Sequence, residues 1–257
     1  MEPSKAIESL VQDAVLVLRI NRPEKMNALT MDMYSQLSAG LDQATESRKI
    51  GAVLIAANGD NFSAGNDMNN FMEMAASLAN DANSLSPQDV PVVGFIHRLV
   101  RFEKPLFVAV QGQAVGIGLT LTLHADFVYL ADTAVLSAPF VDLALVPEAA
   151  SSMLLPQRIG ALRASEILLA AKPVDAKTAL DWGLANRVTS PDILYESALK
   201  AAASVAAKPS EALKLTKQLM RGDKDAVSAH VDAELDVFFR RLSSGEAKAA
   251  FAAFLAR

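Results

Sequence analysis

The chain contains no cysteine, and that absence removes disulfides, thiolate nucleophiles and zinc or iron–sulfur sites held by cysteine. It has no excess of positive charge either: 24 Lys and Arg stand against 29 Asp and Glu in 257 residues, a formal net charge of −5 with His neutral. Without a general cationic field, no nucleic-acid partner is expected. Uninterrupted apolar runs are missing too. Residues 106–130 are the most apolar stretch, but Gln111, Gln113, His124, Asp126 and three glycines break it. A membrane span of about 20 residues does not tolerate that many polar groups, so no membrane association is expected. The opening MEPSKAIESL lacks the pattern of a secretory signal or transit peptide, and the closing FAAFLAR is not a Ser-Lys-Leu type signal; the expected location is cytoplasmic.

What is present is a globular composition, 51% hydrophobic and 21% charged, long enough to bury one substantial core. Residues 14–20 (AVLVLRI), 52–57 (AVLIAA), 106–110 (LFVAV) and 127–131 (FVYLA) read as strands, the middle two apolar enough to be buried on both faces. A helix begins at Thr30, which can cap it, with Leu29 and Tyr34 placed as a hydrophobic staple and Met33, Leu37, Leu41 and Ala44 along one face. This alternation predicts crossover-connected, largely parallel strands in an α/β fold. From about Gly160 onward, helical periodicity dominates: 161–171, 176–182, 192–207, 209–220, 226–242 and 246–255. The expected organisation is an α/β core over 1–190 and a helical region over 191–257. The apolar faces of the latter, with Phe238, Phe239, Phe251 and Phe254, must pack on the core or on another subunit. A polar, Pro-containing loop at 80–91 is expected near a site.

Common catalytic signatures are lacking. There is no G-x-S-x-G elbow, no phosphate loop and no H-E-x-x-H, and His97, His124 and His230 have no ligand-like spacing. No metal site is expected. Gly112, Gly116 and Gly118 begin like a dinucleotide fingerprint, but Thr120 and Leu121 follow where a third glycine is required. Two strand-to-helix turns are more informative, NFSAGNDMNNF at 61–71 and VQGQAVGIGL at 110–119. In each, glycine lets the backbone turn sharply and brings peptide N–H groups to the surface. Facing each other, two such turns could donate to one oxygen and stabilise an oxyanion or enolate; ordinary turns with tight packing are the alternative.

NRPEKMNALT at 21–30, FSAGNDMNNF at 62–71, the run 108–160 and AKPVDAKTALDWGLANRV at 171–188 together resemble the crotonase (enoyl-CoA hydratase/isomerase) superfamily over nearly the whole chain. The resemblance implies a spiral of ββα units with a C-terminal helical trimerisation region, and a homotrimer or dimer of trimers. It implies an acyl-CoA thioester substrate, with coenzyme A entering as part of it and no separate cofactor. The thioester carbonyl would lie between the backbone N–H groups of Asn66 and Ile117. Arg22, Lys25 and Asn27 fall where the family's first loop approaches the CoA nucleotide; Ala64, Gly65, Asp67 and Met68 flank the first donor, Ala64 meeting the adenine through its backbone, and Gly116 precedes the second. Arg257 and Phe238 match tail positions that reach a neighbouring subunit's CoA.

The hydratases of the family use two glutamates, and here those positions match Thr120 and Phe140. A glutamate stands instead at Glu148, where the segment resembles the Δ3,Δ2-enoyl-CoA isomerase branch with its single catalytic base. Moving a double bond from the 3- to the 2-position takes a proton from C2 and returns one to C4, and one carboxylate can serve both carbons. The apolar neighbours of Glu148 in sequence predict a raised proton affinity. Other readings stay open: hydration or thioester hydrolysis using Glu148 or Asp142, or acyl-CoA binding without catalysis. Acyl-chain length would depend on how Met68, Phe71, Met72 and Phe95 pack.

Overall fold

The computed structural model describes residues 6–70, 72 and 90–255. Most of the 80–91 loop, Phe71 and Arg257 lie outside the described residues, as does the side chain of Phe254.

A hairpin opens the fold. Strands β1 (Ile7–Gln12) and β2 (Val15–Ile20) pair antiparallel, joined through Asp13 and Ala14, both with positive φ, as a tight two-residue hairpin turn requires. Strands β3 (Ala52–Ala57), β4 (Leu106–Val110), β6 (Phe127–Ala131) and β9 (Arg187–Thr189) add parallel, giving the order β1-β2-β3-β4-β6-β9. A second sheet contains β5 (Gln113–Val115), β7 (Val135–Ser137) and β8 (Val174–Asp175) in the order β5-β7-β8. Strand β4 runs almost directly into β5, and β6 into β7, with the members of each pair in different sheets. That repeated step is the ββα spiral. One-residue bridges continue it on earlier turns, Leu29 beside Asn66 and Ser63 beside Ala114.

Alternation along β2 divides the interior. Leu16, Leu18 and Ile20 face the main core, and Val15 and Val17 face a second cluster on the other side of the sheet. Helix α1 (Met31–Glu46) buries Met33, Leu37, Leu41 and Ala44 as its spacing predicted, and Thr30 Oγ1 accepts from Met33 N at 3.3 Å. Helix α2 (Pro91–Arg101) packs on α1, with the Tyr34 and Phe95 rings 5.6 Å apart. Two shorter helices, α3 (Ile117–Thr120) and α4 (Ser151–Ile159), lie close to the glycine turns and Glu148. Helices α5 (Ala161–Leu168) and α6 (Ala176–Trp182) follow, and α7 (Pro191–Ala206) covers the far face of the large sheet with Leu194, Ala198, Leu199 and Ala202.

The chain ends in α8 (Ser210–Arg221), α9 (Lys224–Leu242) and α10 (Gly245–Leu255). Phe238, Leu242 and Phe251 enter the main core of their own chain, and Phe239 packs partly against it. The expectation that Phe238 reaches a neighbouring subunit's site is corrected accordingly: it is 4% exposed and forms part of its own chain's core. Asp126 ties the region to the sheet, accepting from Leu106 N at 2.8 Å, Lys217 Nζ at 2.6 Å and Arg221 Nη2 at 2.6 Å. Among the described residues no helix is long and apolar enough to cross a membrane.

Candidate active site

The two glycine turns lie side by side. Ser63 N donates to Gln113 O at 3.0 Å, and Val115 N donates to Ser63 O at 2.9 Å. A Cβ on Gly118 would sit 3.1 Å from Ser63 O, so glycine permits this approach. Gly65 and Gly116 have φ of 93° and 55°, a region that side chains disfavour. Leu29 holds the first turn from one side, donating to Gly65 O and accepting from Asp67 N, both at 2.8 Å. In that parallel pairing the intervening N–H of Asn66 points the other way, and no described residue accepts it. Ile117 begins α3, so its N–H has no acceptor within the helix, and none among the described residues.

Glu148 stands at this junction. It is 4% exposed, and its Oε1 accepts from Thr120 Oγ1 at 2.5 Å. Its Oε2 is buried without a partner among the described residues. Burial pushes its pKa up to about 8, against a downward pull from the Thr120 hydrogen bond and with a further upward push from Glu234. Ala149 and Ala150 follow it with φ of 59° and 55°, a left-handed pair that turns the chain into α4, and Ser151 N closes the turn on Glu148 O at 3.0 Å. His124 Nε2 donates to Ala149 O at 2.8 Å; burial lowers its pKa to about 4, so it supports this turn as a neutral imidazole.

Tyr34 connects the carboxylate to the first turn. Its hydroxyl donates to Asn66 Oδ1 at 2.5 Å, and its pKa is raised by burial and then by the charge of Glu148. The sequence places Tyr34 as a staple residue, and its ring does pack; the role of the hydroxyl leaves no local signature. Thr120, at the position of a hydratase acid, donates to Glu148. Phe140, at the other, is buried. Asp142, the alternative acid, is exposed on a short 3-10 turn.

Among the expected CoA contacts, Arg22 pairs with Asp67 Oδ2 at 2.7 Å and donates to Ala28 O at 3.0 Å. Asp67 Oδ1 accepts from Asn69 N and Asn70 N. Partial burial pushes the Asp67 carboxyl up, but these bonds outweigh it and its pKa is lowered. Lys25 is exposed near the turn that carries Ala64, whose N–H donates to Met26 O. Asn27 differs from the rest. It is fully buried, its Nδ2 donating to Asn58 O and Asn61 O and its Oδ1 accepting from Arg22 N. It has no donor left for a ligand and fixes the loop from inside. Met68 packs partly against the core. A concavity of ≈ 560 Å³ lined by Arg19, Asn58, Gln111, Thr133 and Tyr195 contains none of Glu148, Asn66 or Ile117, so size alone does not locate the chemistry.

The spiral, the stitched turns and the single buried carboxylate between them define a crotonase-like protein. An enoyl-CoA hydratase/isomerase family description matches residues 11–257, and the chain belongs to that family. It is 31% identical over 258 residues to enoyl-CoA delta isomerase 2 of Rattus norvegicus, covering 100% of this chain and 65% of the relative; this chain thus spans just under two thirds of that relative's length. It is also 31% identical to the 2,3-dehydroadipyl-CoA hydratase of Escherichia coli, covering 95% of this chain and 93% of that one. An enoyl-CoA hydratase/isomerase structure from Pseudoalteromonas atlantica matches with a TM-score of 0.90 at 40% identity, covering 98% of this chain and 97% of that one.

Proposed function

We propose that the protein converts 3-enoyl-CoA into 2-enoyl-CoA, as in fatty acid oxidation. The observation that carries this reading is the state of Glu148: one oxygen held by Thr120, the other without a partner among the described residues, and a pKa raised to about 8. Such a carboxylate is a stronger base than a solvated one. Glu148 takes the proton from C2, and the negative charge of the dienolate collects on the thioester oxygen, where Asn66 N–H and Ile117 N–H donate to it. Neutral Glu148 then gives the proton to C4 and is restored, so the reaction consumes no water and needs no electron carrier. Each oxyanion donor of this kind contributes about 3 kcal/mol in the transition state.

Arg22 and Lys25 supply cations for the CoA phosphates. Ala64, Gly65, Asp67, Met68 and Gly116 shape the channel along which the pantetheine and adenine lie, and Asn27 acts through the loop. Exposed Leu215, Leu219 and Met220 on α8, the last two more than 80% exposed, give a trimer or dimer of trimers a surface to bury. The cytoplasm is the proposed location.

Purified protein mixed with 3-enoyl-CoA, without added metal or redox cofactor, is expected to accumulate the conjugated thioester. Glu148→Gln is expected to lower turnover by roughly 10²–10⁴-fold with acyl-CoA affinity nearly intact. Unchanged 3-enoyl-CoA together with hydration of crotonyl-CoA would reassign the reaction to the hydratases.

A further inference from the structure

Glu148 faces a difficulty that its burial creates. A carboxyl group that holds its proton up to about pH 8 is mostly neutral at pH 7, so its resting proton must leave before it can act as a base. Thr120, the partner of its Oε1, is itself fully buried, and Tyr34 on α1 is buried as well. Neither leads to solvent.

The other side of Glu148 does. Three buried side-chain atoms without partners among the described residues, Glu148 Oε2, Ser151 Oγ and Glu234 Oε2, belong to residues that the backbone and the Glu148–Glu234 electrostatic coupling bring near one another. Ser151 is bonded through its N–H to Glu148 O. The next residue, Ser152, is bonded to Glu234 on α9, which accepts at Oε1 from Ser152 N at 2.9 Å and shares a 2.5 Å contact with Ser152 Oγ. Ser152 Oγ in turn lies 2.8 Å from His230 Nε2. Ser152 is exposed and the His230 side chain is 37% exposed. A buried water commonly makes about three hydrogen bonds, and three acceptors or donors are offered here.

We infer that Glu234, Ser152 and His230 form a proton outlet for Glu148, joined to it by one water molecule held among Glu148 Oε2, Ser151 Oγ and Glu234 Oε2. The inference rests on the isomerase reading. In the outward direction, Glu148 gives its proton to the water and the water gives one to Glu234 Oε2. Glu234 passes a proton from its carboxyl to Ser152 Oγ, and the Ser152 hydroxyl proton moves to Nε2 of His230. His230 releases a proton to solvent at its exposed edge. The net change is one proton passed from Glu148 to solvent, with Glu234, Ser152 and His230 returned to the protonation they had. During turnover the same path lets the proton taken from C2 exchange with solvent before it reaches C4.

The test is isomerisation of 3-enoyl-CoA in D2O, reading deuterium at C4 by mass spectrometry per molecule of 2-enoyl-CoA formed, a ratio that does not depend on rate. The unaltered protein is expected to place deuterium at C4. Glu234→Gln, which keeps an acceptor for Ser152 N, and Ser152→Ala are each expected to lower that ratio by at least about fivefold. His230→Ala, at the exposed end, supplies a third arm if Glu234→Gln fails to fold. Ratios equal to that of the unaltered protein, or product without deuterium from the unaltered protein, would overturn the outlet while leaving the isomerase reading intact. Absence of product from the unaltered protein would overturn both.

Discussion

The hydroxyl of Tyr34 donates to Asn66 Oδ1 at 2.5 Å, so a residue of the first helix holds the side chain of the residue whose peptide N–H, at the first glycine turn, is accepted by no described residue. Tyr34→Phe keeps the ring on Phe95 and removes only this bond. Asn66 is half-buried, so water replaces part of the lost bond and about 1 kcal/mol is forfeited, and the turn is expected to relax. Turnover should fall about tenfold, the equivalent of about 1.4 kcal/mol, with KM within about twofold. Steady-state kinetics on 3-enoyl-CoA checks this; a change confined to KM would mean that the bond serves binding alone.

The raised pKa of Glu148 sets the pH profile. The base is active only when ionised, so kcat/KM should rise with pH through an apparent pKa near about 8 and level off above it. A flat profile between about pH 6 and about pH 9 would exclude Glu148 as the titrating base.

Stability should run the opposite way. An acid whose pKa is higher in the folded chain keeps its proton there while the unfolded chain has lost it, so folding stability declines as pH rises from the ordinary 4.5 to about 8 and is flat beyond. The full cost is roughly 5 kcal/mol by linkage. Glu148→Gln escapes it, so the variant's advantage in urea unfolding should grow between about pH 5.5 and about pH 8. His124 contributes with the other sign: its pKa is lowered to about 4 from 6.5, so stability drains away as pH falls through that window.

Asp126→Ala tests how the helical region is fastened. The substitution takes the carboxylate partner from Lys217, 9% exposed, leaving it Lys104 O at 2.7 Å, and removes an acceptor from Arg221, which keeps His124 O, and from Leu106 N. Loss of one partner from a buried ion pair costs about 3–5 kcal/mol, measurable as a lower denaturant midpoint. A loss under about 1 kcal/mol would mean that solvent reaches the lysine.

Long, regular elements were legible because their patterns are local. The period of Met33, Leu37, Leu41 and Ala44 announced α1, and the apolar runs announced β3 and β4 with both faces buried. The strands β5, β7, β8 and β9 have two or three residues each, too few for a period to show. Strand β1 escaped because its burial pattern is almost wholly exposed at an edge. The two glycine turns could be recognised from their glycines, and Glu148 through the family resemblance, its apolar neighbours suggesting only a raised proton affinity. Thr120, Tyr34 and Glu234 could not be placed beside it, because each meets the site across sequence separations that no local rule spans. Asn27 shows the converse: the family resemblance suggested a ligand contact, whereas its side-chain amide is bonded wholly to the backbone of Arg22, Asn58 and Asn61.

Main-chain groups cannot be altered one codon at a time. With the N–H groups of Asn66 and Ile117, neither accepted by a described residue, set by backbone path, mutation at 117 would leave the proposed oxyanion recognition largely unchanged so long as Gly65, Gly116 and Gly118 hold that path. Selection is then free to try carboxylates around an unchanged electrophile-binding frame, at 120, 140, 148 or on the helix that carries Glu234. A lineage with this architecture can change its reaction by single substitutions without ever passing through an ancestor unable to hold a thioester.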